Sequence, residues 1–270
     1  MIRLSLLLAA LFCATVASAA PRVVSLAPSM TEIVLELGAA DLLVGVLDAG
    51  PRPSSVSELP SVGQYGQLDL ERLLSLQPDL LLLWPDSVTP AQRDQLRRLG
   101  IAVFSAEPHD LEQLIEQIGA IASRIGREEQ GRRYTAQLRE RLAHLRQRFA
   151  RAQPLQVFYQ VWDQPLYTLG GRQIVSDALA VCGARNVFAD LRQPAPQVNV
   201  ETVLQRDPDI ILAGEARQLE AWNAWPSLKA VANGHLLVVP DKGLERPSGQ
   251  MIDATARLCA LLEATVPASR

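Results

Sequence analysis

The sequence predicts an α/β protein of two similar α/β lobes joined by one long α-helix, with a ligand cleft between them. Three observations carry this. Strand-like runs alternate with helix-like runs across short loops in both halves of the chain, the pattern of mostly parallel sheets. A long amphipathic stretch separates the halves. And one segment recurs: L-D-L-E-R-L-L-S-L-Q-P-D-L-L from Leu68 returns as V-N-V-E-T-V-L-Q-R-D-P-D-I-I from Val198, at a constant offset of 130 residues. Two copies specify two related lobes rather than a solenoid, which needs three or more.

The elements follow in order. Arg22 to Leu26 reads as a buried strand, then a helix from Thr31 to Leu37 with Ser29 or Thr31 as its cap and Gly38 at its end. Leu42 to Leu47 is a second strand, and the Pro- and Ser-rich stretch Gly50 to Leu59 a loop. A helix starting at Asp69 stops before Pro78, and Asp79 to Trp84 is a fully buried strand. Thr89 to Leu99 is helical, Gly100 ends it, and Ile101 to Phe104 is a strand. Leu111, Leu114, Ile115, Ile118, Ile121, Ala122 and Ile125 then follow the i, i+3, i+4, i+7 spacing of an amphipathic helix. After Gly126 comes a helix of about 35 Å from Glu128 to Arg151, with Tyr134, Leu138, Leu142, Leu145 and Phe149 on one stripe and charge elsewhere. It is longer than a crossover needs and is expected to be a rigid spine. The α/β pattern resumes with strands at Leu155 to Val161, Ile210 to Ala213 and Leu236 to Val239, and helices at Ser176 to Cys182 and Met251 to Ala264. The predicted division is a leader over 1–19, an N-terminal lobe over 20–126, a bridging helix over 127–152 and a C-terminal lobe over 153–270.

Composition narrows the function classes. The chain has 270 residues, 48% hydrophobic and 20% charged, which is globular rather than disordered. A net charge of −3 lacks the basic excess of a nucleic-acid protein, so no nucleic-acid partner is expected. Three His and three Cys are too dispersed for a built-in zinc or iron–sulfur site, so no resident metal or cofactor is expected.

The first nineteen residues read as an export signal: Arg3, an apolar run from Leu4 to Val16 too short to span a bilayer, and the small-residue site Ala17-Ser18-Ala19. Cys13 follows Phe12 rather than a small residue, which argues against a lipid anchor. The exported chain keeps two cysteines, Cys182 and Cys259, and in an oxidising compartment such a pair is expected to form a disulfide.

Enzyme motifs are missing: the sequence contains no G-x-S-x-G, no G-x-x-x-x-G-K and no H-E-x-x-H. Aromatics at strand ends and loops stand out instead: Tyr65, Trp84, Trp162 and Tyr167. Open α/β sheets bind ligands at such positions, and flat aromatic faces suit a large planar ligand. Arg246 in the loop after the last strand can hydrogen-bond a carbonyl or phosphate. Glu71 and Glu201 each lie two residues past an Asp or Asn helix cap, favourable against the helix dipole. Through the repeat they are also a matched pair, one per lobe, suited to a two-fold symmetric basic partner.

The chain from Pro21 onward resembles the periplasmic cobalamin-binding proteins of bacterial ABC importers, in the helical-spine class that also carries haem and siderophores. The resemblance rests on V-V-S-L-A-P-S-M-T-E, L-D-L-E-R-L-L-S-L-Q-P-D-L-L-L-L-W, A-V-C-G-A-R-N-V-F-A-D with P-A-P-Q-V, and L-E-R-P-S. It implies a periplasmic receptor, expected to act as a monomer, that captures a corrinoid without chemistry and delivers it to an inner-membrane permease dimer. It implies that Tyr65, Trp84 and Tyr167 face the corrin, and that the last loop, Lys242, Gly243, Leu244, Glu245 and Arg246, touches it. Glu71 and Glu201 match the glutamates that dock onto permease arginines, and Cys182 with Cys259 matches the cobalamin branch's disulfide. The chain departs from the family where Ala49, Arg52, Ala195, Lys242, Gly243 and Leu244 replace aromatic or acidic positions of the cage. A haem or ferric-siderophore receptor is the related alternative. An exported metal chelatase-like enzyme is the alternative from another class.

Overall fold

A computed structural model describes residues 20–266, so the predicted leader over 1–19 lies outside the described residues. The N-terminal sheet contains β1 (Val23–Ser25), β2 (Leu43–Asp48), β3 (Ser61–Gln64), β4 (Gln67–Leu68), β5 (Leu80–Leu83) and β6 (Ala102–Ser105), in the order β4-β3-β2-β1-β5-β6. All neighbours are parallel except the β3–β4 hairpin. The C-terminal sheet contains β7 (Leu155–Asp163), β8 (Leu166–Thr168), β9 (Ala184–Asn186), β10 (Ile210–Ala213) and β11 (Leu236–Val238), in the order β11-β10-β7-β8, with β9 also paired to β7. Here β8 is the antiparallel strand. The short strands β3, β4, β8 and β9 escape the sequence reading because two to four residues carry no usable alternation.

The helices are α1 (Pro28–Glu36), α2 (Leu70–Ser75), α3 (Pro90–Arg98), α4 (Leu111–Arg124), α5 (Glu128–Arg148), α6 (Ile174–Val181), α7 (Val200–Arg206), α8 (Lys229–Ala232) and α9 (Gln250–Thr265). Several boundaries differ from expectation, two of them by about a turn. Helix α1 begins at Pro28, a residue whose missing N–H and fixed φ suit a first turn. Neither Ser29 nor Thr31 caps it, because both lie inside the helix; the Thr31 hydroxyl donates instead to Ser25 Oγ at 2.9 Å. Helix α5 ends at Arg148 with Phe149 as its C-cap, one turn before Arg151.

The repeat is structural as well as sequential. Asp69 and Asn199 accept from the backbone N–H of Arg72 and Thr202, each at 2.9 Å, capping α2 and α7. After both helices the residue before the proline has a positive φ, Gln77 at 46° and Asp207 at 40°. Asp79 and Asp209 then accept from the first strand of their own lobe, Arg22 N at 2.7 Å and Gln156 N at 2.8 Å.

One apolar core runs between the two sheets. It includes Val23, Leu80 and Leu82 of the N-terminal sheet, Val157, Tyr159, Ile210 and Leu212 of the C-terminal sheet, and the buried faces of α1, α4, α5, α6 and α9. Separate clusters cover the outer faces, around Leu73, Leu81 and Leu96 in one lobe and around Phe158, Phe188 and Trp222 in the other. The long helix is therefore one member of a five-helix middle layer rather than a lone connector. Its stripe, Leu138, Leu142 and Leu145, is buried as the periodicity predicts. Close approach of α4 and α5 depends on Gly131, where a Cβ would lie 2.4 Å from the Cβ of Ala122.

Two carboxylates of α1 clasp the C-terminal lobe. Glu36 accepts from the backbone N–H of Gly249 at 2.8 Å and of Gln250 at 3.0 Å, so an N-terminal-lobe side chain caps the start of α9. One turn earlier, Glu32 accepts from Arg246 Nη1 at 2.9 Å and from Ser248 Oγ at 3.2 Å. Only glycine fits at position 249, since a Cβ there would lie 1.9 Å from the Tyr134 hydroxyl.

A disulfide joins Cys182 at the end of α6 to Cys259 in α9, across 77 residues. By the chain-entropy relation, closing a loop of that length contributes roughly 4–5 kcal/mol. Cys182→Ala with Cys259→Ala is expected to lower stability by about that amount in urea denaturation, with the fold retained by the shared core. Glu36 gives a second prediction. Burial raises its pKa above the ordinary carboxyl value, against the lowering effect of its hydrogen bonds. The folded state then holds that proton more tightly than the unfolded state. Its contribution to stability is full below the unfolded pKa and falls as pH rises through the folded one. Glu36→Gln is expected to remove this decline from the stability–pH profile between the two values.

Candidate functional site

A cleft of about 530 Å³ opens at the carboxyl ends of both parallel sheets. Its N-terminal wall comes from the ends of β1, β2 and β5: Ala27 to Ser29, Ala49 and Trp84. Its C-terminal wall comes from the end of β7, from Leu169, from the first turn of α6, from Gly214 after β10, and from the loop after β11. The position follows from topology. A parallel strand order that reverses direction about its first strand leaves a crevice outside the strand ends, and two such sheets face one another here.

The lining is mostly apolar. Trp84, Val161, Leu169, Ile174, Val175 and Leu244 supply its walls. Its charged groups are Glu245 and Arg246, and Ser29, Tyr159, Gln160 and Gln173 add uncharged polar ones. The Arg246 guanidinium does not hang free; its pair with Glu32 ties it to α1 across the cleft mouth. Beside it, Arg52 donates to the Leu59 carbonyl at 2.6 Å and to Asp48. Ser61 donates to the same carboxylate at 2.5 Å, and these bonds hold Asp48 below the usual carboxylate range. The Pro-rich loop that carries Ala49 is thereby fixed at both ends.

Of the residues singled out from the sequence, Trp84, Leu244, Glu245 and Arg246 line the cleft. Leu244 is fully buried and forms part of the wall. Lys242 and Gly243 do not line it: Lys242 is exposed, and Gly243 is buried against Ala254 and Asp241. Tyr65 stands in the β3–β4 turn, 63% exposed. Trp162 and Tyr167 pair across β7 and β8, with Trp162 51% exposed and its indole N–H donating to the Gln164 carbonyl at 3.1 Å. These three aromatics lie outside the cavity lining. Glu71 and Glu201 are exposed in the first turns of α2 and α7, at equivalent places in the two lobes.

Sequence reasoning missed Tyr159, Val161, Leu169 and the α6 turn. The signal for Tyr159 was present in the alternation of β7, where Leu155, Val157 and Tyr159 share the face toward the interlobe core. Its hydroxyl is buried and has no hydrogen-bond partner among the described residues. Glu32 and Glu36 carried no comparable signal, since their partners lie more than 200 residues away. Among the described residues, no cluster of His, Cys, Asp and Glu could hold a metal ion, and no helix is long and apolar enough to cross a membrane.

Comparison with known proteins accords with this geometry. Residues 23–242 match the family described as periplasmic binding protein. The chain is 33% identical over 247 residues to the vitamin B12-binding protein of Vibrio cholerae serotype O1 (strain O395), covering 90% of each chain. It is 34% identical over 252 residues to the vitamin B12-binding protein of Yersinia pestis (strain Pestoides F), covering 93% of this chain and 89% of the relative. The crystal structure of the periplasmic vitamin B12 binding protein BtuF of Vibrio cholerae superposes with a TM-score of 0.82 at 32% identity, covering 92% of this chain and 98% of that one. A family match over most of the chain, two lobes about a shared helical layer and a cleft at the strand ends together place this chain in the periplasmic binding protein family.

Proposed function

We propose that the protein is an exported receptor that takes cobalamin into the interlobe cleft, leaves it chemically unchanged, and presents it to an ABC permease in the inner membrane. The observation that carries the reading is the cleft itself: a mostly apolar slot walled by Trp84, Val161, Leu169 and Leu244, with a few polar groups, in a chain that matches vitamin B12-binding proteins over nine-tenths of its length. Such a slot suits a large planar ligand bound by apolar contact, with a few hydrogen bonds to orient it. The predicted leader and the family support a periplasmic location.

The clasp and the shared core support limited closure. Separating the lobes would expose the apolar layer and strand the α9 N-terminus without its cap. The receptor is therefore read as largely preformed, so that little binding energy is spent on reorganisation. Delivery is assigned to Glu71 and Glu201, which stand exposed at matched positions on the two lobes as a pair of anions for a two-fold symmetric basic surface.

Calorimetric titration of residues 20–270 with cyanocobalamin, with haemin as comparison, tests the ligand. One-to-one binding of cyanocobalamin at submicromolar Kd and at least tenfold weaker binding of haemin is expected; the reverse preference overturns cobalamin as the ligand. The double change Glu71→Ala and Glu201→Ala is expected to leave the cyanocobalamin Kd unchanged while abolishing uptake in a transport assay with the cognate permease. Uptake at the wild-type rate overturns the docking role.

A further inference from the structure

Among the described residues lining the cleft, Tyr159 carries a buried polar group without a partner. It is 3% exposed, and its hydroxyl oxygen is fully buried without a partner among the described residues. A buried donor left unmet is destabilising, so such groups persist where something other than the resting protein satisfies them. The fold did not force this. At the same position on the inward face of β7 a phenylalanine would fill the same volume without the penalty.

Glu245 lines the same wall. Its carboxylate passes over Gly214, where a Cβ would lie 3.7 Å from Oε1. Gly214 follows Ala213, which pairs in the sheet with Gln160, the neighbour of Tyr159. Both residues line the cleft. Burial first and the negative charge of Glu245 second raise the Tyr159 pKa, so the phenol stays protonated near neutral pH and keeps its O–H to donate. The cleft therefore holds a buried O–H donor and an exposed carboxylate acceptor in one wall.

Resting on the cobalamin reading, we propose that Tyr159 and Glu245 together read a primary carboxamide on the rim of the ligand, Tyr159 donating to its carbonyl oxygen and Glu245 accepting from its N–H. A carboxamide presents one acceptor and two donors on a single planar group and satisfies both residues at once. A carboxylate satisfies the phenol but meets the Glu245 charge across a short distance in a partly desolvated site, which is unfavourable. The pair thus selects a ligand edged with amides, as cobalamin is, against a macrocycle edged with carboxylates, as haem is. The hydroxyl is covered before binding, so a small local adjustment of the wall accompanies seating of the ligand.

The test compares the wild type with Tyr159→Phe and Glu245→Gln by calorimetry. The probes are cyanocobalamin and its monocarboxylic acid derivatives, in each of which one peripheral amide has been hydrolysed. Tyr159→Phe is expected to weaken cyanocobalamin binding about 2- to 10-fold, the range of one hydrogen bond, with Tm unchanged or raised because the unmet donor is gone. One monocarboxylic derivative is expected to bind the wild type at least tenfold more weakly than the parent, and Glu245→Gln is expected to narrow that gap. Unchanged affinity of Tyr159→Phe, a loss accompanied by a lowered Tm, or a gap that Glu245→Gln leaves intact overturns the amide-reading role while cobalamin binding itself stands. A wild type that does not bind cyanocobalamin overturns the function reading, and this inference with it.

Discussion

The apolar core shared by the two sheets constrains everything else in this molecule. Each sheet has two faces to cover, and a cluster of its own covers the outer one. The inner faces are covered jointly by α1, α4, α5, α6 and α9, so neither lobe has a complete core without the other. Burial at about 25 cal/mol per Å² makes that layer costly to open. The cleft can exist only where the layer stops, at the carboxyl ends of the strands, and its walls are the last residues of strands already fixed within the core.

Polar contacts then refine what the core sets. The two carboxylates on α1 do different work although they are one turn apart. Glu36, largely buried, replaces the N-cap that α9 lacks in its own sequence, since Gly249 has no side chain to offer. Glu32, nearer the cleft, positions Arg246 at the mouth. Both act between segments far apart in the chain, and together they lock the loop after β11 to the opposite lobe. The disulfide fastens the same region from below, joining α6 to α9. The C-terminal wall of the cleft is thus held on three sides while its N-terminal wall is braced by the Asp48–Arg52–Ser61 network.

The internal repeat shows how much local chemistry two lobes can share while their sites diverge. Cap, left-handed helix end, proline and strand-bridging aspartate recur at the same offset. These devices fix helix and strand ends, and each works within a few residues or onto one adjacent strand. The residues that face the cleft do not recur: Trp84 closes one copy's strand and Gly214 follows the other's. Glycine there leaves room for Glu245, so the asymmetry of the cleft begins with a difference at equivalent strand ends.

By itself the sequence determined the α/β class, the two related lobes, the buried stripe of the long helix, the caps at Asp69 and Asn199, and the pairing of Cys182 with Cys259. All of these rest on periodicity, local hydrogen bonding or a count of cysteines, which a chain displays without being folded. It also marked Trp84, Glu245 and Arg246, because strand ends and the last loop are places where such folds meet ligands. Only the tertiary structure decided that Tyr65, Trp162 and Tyr167 stand outside the cavity lining, and that five helices rather than one join the lobes. Only it paired Arg246 with Glu32, capped α9 with Glu36, and left Tyr159 with a hydroxyl unmet. The reason is tertiary: these outcomes depend on which surfaces meet, for Glu32 with Arg246 and Glu36 with Gly249 between segments more than 200 residues apart, and no local pattern encodes a partner at that distance.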